Sequence, residues 1–535
     1  AGYAVWATGG LTAGEVPVAQ VDGTLATDSG LAYNSTTDTL TTTNLVAPTG
    51  GTTYFIAATG ASSFDKAHAN AECDGTNDEV QINAGIAVAE HVVLSAGTFT
   101  LGSSIVPVNE TWLQGQGYST IITGANKSID ITSVSNVTVD SLQLSGADTY
   151  TDGIYVSAGT KSTIQNCYIH DYTTNGINLN TTTANSYDGL TIINNYIYDI
   201  ADYTTAVTGN GILLSSGSEY TDISHNHINR CGTGINNAAN NSKADSNDVG
   251  TNYQGIVSTG ARFHIVDNTI NHCTTYGISL SASNGVLMTG NTICHSGNEG
   301  FAIYSNCHGL SCIGNNIFSN GDLNSNDSHD SEIRLNVTGV LDGIIANNSI
   351  GYVTDANAKT GIYFVNAAQT KTVVTDNIFN NSGGVTTYVA GWKDTMGEFS
   401  GNINYITTGE IRTYSGTIAT LTENAFNSID NPFGQAVRVL SLDIYITTAS
   451  GDTTPNATID CGIGDSATTD YTTLFEGIDC ETTGFSNSVN TATIGKQTSP
   501  QLWATGSGNR YLNMSIKDAA ATNMVATYTI TIMGN

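Results

Sequence analysis

A tetrad of Gly, an apolar residue, any residue and a second apolar residue returns throughout the middle of this chain. It reads Gly153-Ile154-Tyr155-Val156, Gly176-Ile177-Asn178-Leu179, Gly211-Ile212-Leu213-Leu214 and Gly255-Ile256-Val257-Ser258. Further copies are Gly277-Ile278-Ser279-Leu280, Gly300-Phe301-Ala302-Ile303, Glu332-Ile333-Arg334-Leu335 and Gly361-Ile362-Tyr363-Phe364, with a shorter Gly234-Ile235 between. A second column keeps step with it. Cys167 opens that column, and Asn195, Asn226, Asn247, Asn268, Asn291, Asn316, Asn348, Asn377 and Asn402 follow at intervals of 21 to 32 residues. Three residues ahead of each member stands an apolar side chain: Ile164, Ile192, Ile223, Ala244, Ile265, Met288, Ile313, Ile345, Val374 and Phe399. Two residues behind stands another: Ile169, Ile197, Ile228, Val249, Ile270, Ile293, Phe318, Ile350 and Phe379.

A unit of this length with short strands cannot bury its own apolar face, so it must stack on its neighbours. Three short strands at about 3.3 Å per residue, plus turns, close one coil of such a repeat. Asn suits the corners because it tolerates left-handed backbone, and stacked Asn side chains can bond along the column. β-branched, Asn- and Gly-rich coils exclude a helical repeat. An antiparallel sandwich would place hairpin turns every 8–12 residues or so instead. The reading is an all-β protein whose residues 50–410 form a right-handed parallel β-helix.

Composition agrees and narrows the partners. Of 535 residues only 11% are charged, and the formal net charge is −31. No basic patch exists for nucleic acid to meet. No run of 18 apolar residues exists to span a membrane. Nine cysteines leave at least one without an intramolecular partner; Cys461 and Cys480 could pair. No CxxC pair suggests structural zinc. Ala1 to Gly10 lack the charged and apolar stretches of a secretory leader. Either a leader has been removed, or none existed.

A solenoid needs capping. Residues 76–90 offer an N-terminal capping helix, started by Thr76-Asn77-Asp78, with apolar residues at 80, 84 and 88 on one face. Strands follow at Val92-Val93-Leu94 and Thr98-Phe99-Thr100-Leu101. The stretch Cys73-Asp74-Gly75-Thr76-Asn77-Asp78-Glu79-Val80, then Ala96-Gly97-Thr98-Phe99 and Leu113-Gln114-Gly115-Gln116-Gly117, resembles the start of pectate-lyase-like β-helix proteins. Phage tailspikes and related virion proteins share it. The resemblance covers about 360 residues with the repeat columns, and it speaks to fold rather than activity. Residues 1–49, Thr-rich in short alternating runs, resemble the attachment ends of phage fibres; they read equally as a flexible arm. Beyond 410 the columns stop. Alternating strands over 411–535 predict a β-sandwich, resembling the jelly-roll modules of phage structural proteins.

The third tetrad residue points outward, forming a ladder. Tyr155, Asn178, Asn236 and Tyr363 within it suit sugar binding, because rings pack on C–H faces and amides bond hydroxyls. Leu213, Val257 and Ala302 fit a face covered by neighbouring subunits at least as well. A long acidic loop precedes Glu332, which stands where the tetrad has Gly. Glu332 and Asp330 form a candidate carboxylate pair for glycosidic cleavage. Arg334 beside acids would instead serve lyase chemistry, with Asp residues holding calcium. A plain solvated loop explains the same residues. His225, His227 and Arg230 fall on one coil, but His at i and i+2 supply too few ligands for a metal.

These features together predict a virion-surface spike or fibre of a phage-like virus. It would be a homotrimer or higher oligomer that attaches to host polysaccharide and possesses or lacks depolymerase activity. Its N-terminal segment would join other virion or surface-assembly proteins. Two alternatives share the fold: a cellular extracellular adhesin or filament subunit without catalysis, and a secreted polysaccharide lyase or glycoside hydrolase. All three place the chain outside a cell or on a virion.

Overall fold

In a computed structural model of the chain, residues 53–402 are described except 181–188, 202–203, 205–207, 306, 322–330, 338–340, 353–359, 367–370, 382–386, 391–396 and 401. Outside that span the description comprises the strands, with residues 431 and 436. Three parallel sheets wrap one interior. The tetrads form an 11-stranded sheet from Lys127–Thr132 to Thr387–Ala390. Strands preceding the Asn column form a 15-stranded sheet that ends on Gly397–Ser400. Strands following that column form a 12-stranded sheet from Gly97–Leu101 to Ile378–Asn381. The protein is therefore a parallel β-helix, as the repeat predicts.

Register is what makes it one core. Ile223, Ala244, Ile265 and Met288 sit directly above one another, and each is fully buried. Ile197, Ile228, Val249, Ile270 and Ile293 do the same on the following sheet. Each buried Ile contributes roughly 1.5–3 kcal/mol, so every coil adds a similar increment along the axis. Glycine opens the tetrad because the chain turns in tightly there. A Cβ at Gly211 would lie 2.6 Å from Ile228 Cγ2 and 2.7 Å from the Gly234 carbonyl oxygen of the next coil.

The Asn column is a buried hydrogen-bond ladder. Asn247 Nδ2 donates to the Ile223 carbonyl and to Asn268 Oδ1, both at 2.9 Å. Its Oδ1 accepts from the Asn226 backbone N–H at 2.9 Å and from Asn226 Nδ2 at 3.0 Å. The same pattern joins Asn195 to Asn226, and Asn348 to Asn377 to Asn402. It satisfies backbone groups that the corner removes from the sheets.

Two details differ from the sequence reading. The left-handed corner residue is the one before the column: Asn194, His225, Ser246, Asp267, Asn347 and Asp376 have φ between 52° and 57°. Column members are freed to bond instead. In one coil the member is Asn315, not Asn316: its amide bonds Asn291 and Asn348. The buried flanks there are accordingly Cys312 and Ile317. A slip of one residue exchanges inside for outside, which is why Phe318 lies on the surface.

The capping helix is Glu79–Ile86. Its buried face is Glu79, Ile82, Gly85 and Ile86, whereas Val80 and Val88 are exposed. The expected 80/84/88 face is thus the solvent face. The core contact turns on Ile82 and Ile86, and Glu79 is held by accepting from the Gly102 N–H and the Ser103 hydroxyl. Thiols of Cys73, Cys167, Cys273 and Cys312 lie in the core, where burial pushes each up to about 12. Cys480 of the expected Cys461 pair lies outside the described residues.

At the N-terminal end, Glu15–Ala19, Leu25–Asn34 and Thr39–Thr42 form a three-stranded antiparallel sheet. At the C-terminal end, two antiparallel sheets are built on Val437–Thr448 with Met524–Gly534, and on Thr458–Gly464 with Tyr511–Lys517. Val439, Leu442 and Ile444 from one share a buried core with Cys461, Leu512 and Met514 from the other. A sandwich follows. A jelly roll asks for a particular strand order, and these pairings carry the sandwich and no more.

Candidate carbohydrate-binding face

The residue directly after each column member from Cys167 to Asn377 begins a strand and points outward. In three successive coils that residue is Tyr168, Tyr196 and His227, paired in register. Tyr118, in the turn Gly117–Ser119 two coils earlier, reaches the row past Gln143 of the intervening coil. Ring centroids are 5.2 Å apart for Tyr118 and Tyr168, 5.3 Å for Tyr168 and Tyr196, and 4.6 Å for Tyr196 and His227. Two residues further along the strands, His170 stacks on Tyr168 at 4.5 Å and Tyr198 lies 6.0 Å from Tyr196. Tyr118 is exposed and the other rings are half-buried, leaving a continuous aromatic platform parallel to the solenoid axis.

Polar groups fringe the platform. Gln143 Nε2 lies 2.9 Å from His170 Nε2, and His170 Nδ1 lies 2.7 Å from Asp171 Oδ2. The Gln amide donates, so the imidazole proton sits on Nδ1 and is given to Asp171. His227 Nδ1 meets Asp248 Oδ2 at 2.8 Å. Arg230 Nε pairs with Asp199 Oδ1 at 2.8 Å, and its Nη1 donates to the Tyr198 hydroxyl at 2.6 Å. Asp171, directly after its strand, and Asp199 and Arg230, one residue before the ends of theirs, all take left-handed backbone.

The local field is negative. Burial raises Asp199 above the usual carboxylate range, and Asp171 and Asp148 add to the rise against the pull of Arg230. Burial and the neighbouring phenol Tyr196, then Asp171, raise Tyr168. Tyr196 rises through burial, through Tyr198 and Tyr118, and then through Asp199 and Asp248. The phenols therefore stay protonated and keep their O–H as donors. Further along the same sheet, Gly351 interrupts the outward column and leaves an open notch lined by Asn316, Phe318, Ser349 and Asn380.

The residues singled out from sequence lie elsewhere. Glu332 is fully buried. Its carboxylate accepts from Asn320 Nδ2 at 2.6 Å and from the Asn320 N–H at 3.3 Å. A second, shorter ladder explains this: the Cys231 N–H donates to Asn252 Oδ1, and the Ser296 N–H to Asn320 Oδ1. Glu332 supplies Asn320 with the acceptor that the next Asn would provide. Arg334 is buried and paired with Glu299 at 2.8 Å. Asp330 lies outside the described residues.

On the tetrad face, Asn178 is buried and donates to Asp152. Asn236 donates to Asn210, which donates to Asn175. Tyr155 lies beneath Lys127 Nζ, 3.2 Å from the ring centroid, and accepts from Asn180. Tyr363 is half-buried, in register with Arg334. Of the outward ladder, Ala302 and Ser279 are covered. Among the described residues no group of three His, Cys, Asp or Glu could hold a metal ion. Sequence reasoning followed the tetrad's outward residue. The column's next residue carried the signal: Tyr168, Tyr196, His227 and Asp248 all fall directly after it.

Comparisons with known proteins agree with the architecture. Residues 204–317 match a family described as right handed beta helix region. The chain is similar to the A-module of mannuronan C-5 epimerase AlgE6 from Azotobacter vinelandii, at 17% identity over 62% of this chain and 96% of that one, with a TM-score of 0.51. It is also similar to the catalytic unit of a GH87 α-1,3-glucanase from Streptomyces thermodiastaticus, at 15% identity, 60% and 68% coverage and a TM-score of 0.37. A third likeness is the enzymatically active domain of tailspike protein 2 from bacteriophage CBA120, at 14% identity, 97% and 82% coverage and a TM-score of 0.41. No curated protein sequence matches the chain. At these identities the likeness is one of fold, and the solenoid is a right-handed parallel β-helix.

Proposed function

We propose that the protein holds a polysaccharide along the outer face of the sheet that follows the Asn column. The observation that carries this is the row Tyr168, Tyr196 and His227, three rings on three consecutive coils, with Tyr118 reaching Tyr168 from two coils earlier. Coils repeat at about 4.8 Å, the spacing of neighbouring strands. A linear glycan laid along the axis therefore meets one ring per coil across Tyr168, Tyr196 and His227. The rings take the C–H faces of the sugars, and Asp171, Asp199, Arg230 and Tyr198 offer acceptors and donors to hydroxyls. Stacked strands hold the rings rigid, so little ordering cost falls on binding.

Within this reading, the protein is a virion-surface spike that attaches to host cell-surface polysaccharide. That part is supported by the resemblance of residues 73–117 and of the repeat columns to phage tailspikes. A homotrimer and an N-terminal attachment segment belong to the same proposal. Native mass measurement tests the assembly; a lone monomer would count against a spike.

The face itself is tested by retention of the full chain on immobilised glycans from candidate hosts. Tyr196→Ala should weaken binding roughly 30-fold, the loss of about 2 kcal/mol expected for a central aromatic contact. Unchanged retention for Tyr196→Ala, with loss for Tyr155→Ala or Tyr363→Ala, would move the binding surface to the tetrad face.

A further inference from the structure

The charges beside the aromatic row restrict which glycan can lie on it. Asp148, Asp171, Asp199 and Asp248 surround the rings, and among the described residues of this face Arg230 is the one fixed cation. Arg230 is already committed. Its Nε faces Asp199 at 2.8 Å, its Nη1 donates to Tyr198, and its guanidinium lies over the Tyr198 ring at 5.0 Å. A carboxylate or sulfate group arriving there would have to displace Asp199 to gain that partner. Elsewhere along the row it would meet Asp171 or Asp248, each aligned by an imidazole. The whole chain repels it too, with a formal net charge of −31.

We infer that the bound polysaccharide is an uncharged one, and that Asp171, Asp199 and Asp248 act as the groups that exclude polyanions. This rests on the reading of the aromatic row as a glycan platform. Carboxylates accept sugar O–H groups well, so the same residues that turn away a uronate hold a neutral hexose. Selection here is by repulsion as much as by contact. The likeness to a mannuronan epimerase module is one of fold alone, and the charges of this face argue against a polyuronate ligand. Among the described residues of this face, Arg230 is the one fixed cation that a sugar acid could meet, and Asp199 and Tyr198 already hold it.

The experiment is a panel of immobilised neutral, uronate-bearing and sulfated oligosaccharides, probed with the full chain. Binding is read at about 0.01 M and about 0.1 M salt, where screening lengths are about 30 Å and about 10 Å. The ligands retained should be neutral, with retention changing less than about twofold between the two salts. Asp171→Asn with Asp248→Asn, whose fold is checked by its melting temperature, should raise retention of the uronate probes at low salt by about fivefold or more. A uronate or sulfated probe as the best ligand, weakening as salt rises and lost in Tyr196→Ala, would overturn this inference and leave the platform standing. Retention of acidic probes that Tyr196→Ala does not alter, or no retained probe at all, would overturn the platform together with it.

Discussion

Two rows of side chains run along this solenoid on either side of one strand. Inside, the Asn column repeats in coil after coil, buried, with each amide bonded to the next. Outside, one residue later, the row changes chemistry as it goes: Tyr168, Tyr196 and His227, then Asp248, Thr269 and Thr292. The inner row obeys the repeat because backbone groups at every corner need the same partner. The outer row shares the register but escapes that demand. Residues on it are free to differ, and a cluster of one kind there asks for a reason beyond folding.

The sharpest way to break this contrast is to damage the inner row. Asn247→Leu leaves the Asn226 N–H and Nδ2 without their acceptor and removes a donor from the Ile223 carbonyl. Each stranded buried group costs about 1–3 kcal/mol, so the sum is about 3 kcal/mol or more. The urea midpoint should fall with little change in slope. A midpoint within error of the parent would mean that the ladder is ornamental.

The outer row should respond the other way. Tyr168→Ala combined with Tyr196→Ala should lower stability by about 1 kcal/mol or less, since both rings are half-exposed and little packing is lost. Glycan retention should fall about 100-fold or more if the two rings contribute independently, at about 1.5–2 kcal/mol each. A double variant that melts early and still binds would reverse the assignment of the two rows.

Legibility in the sequence followed the same division. The columns of Ile, Gly and Asn were readable because burial and corner bonding impose them on every coil. Their one slip, Asn316 for Asn315, arose where two Asn stand together and spacing alone cannot choose between them. The capping helix was found and its buried face misjudged, because Val80 and Val88 share a helical stripe that no other element covers. The platform was missed for a physical reason too. Tyr and His are different letters, and an outward row that shares the register need not repeat one residue type to announce itself. Conversely, Glu332 drew notice because it departs from the tetrad, and the departure serves the interior.

Glu332 therefore sharpens the contrast at a middle size of effect. Glu332→Ala strands the Asn320 N–H and should cost about 2 kcal/mol, whereas Glu332→Gln keeps one acceptor and should stay within about 1 kcal/mol of the parent. Neither should change glycan retention or any depolymerisation the protein shows. A loss of either property in the Gln variant, without a shift in melting, would return Glu332 to the surface chemistry.

The smallest effect concerns pH. Asp199 has its carboxyl raised in the folded chain, by burial first and by Asp171 and Asp148 after it. Between its ordinary value and that raised value, the folded protein binds a proton that the unfolded chain has released. Stability contributed by this group is therefore present at low pH and lost as pH rises through that interval. Asp199→Asn removes the slope. It should flatten the stability profile across the acid range by no more than about 1 kcal/mol, the scale of a partly exposed charge. If instead the parent grew more stable through that interval relative to the variant, the Arg230 pairing would outweigh the surrounding acids. The negative field assigned to the platform would then be too weak to choose between glycans.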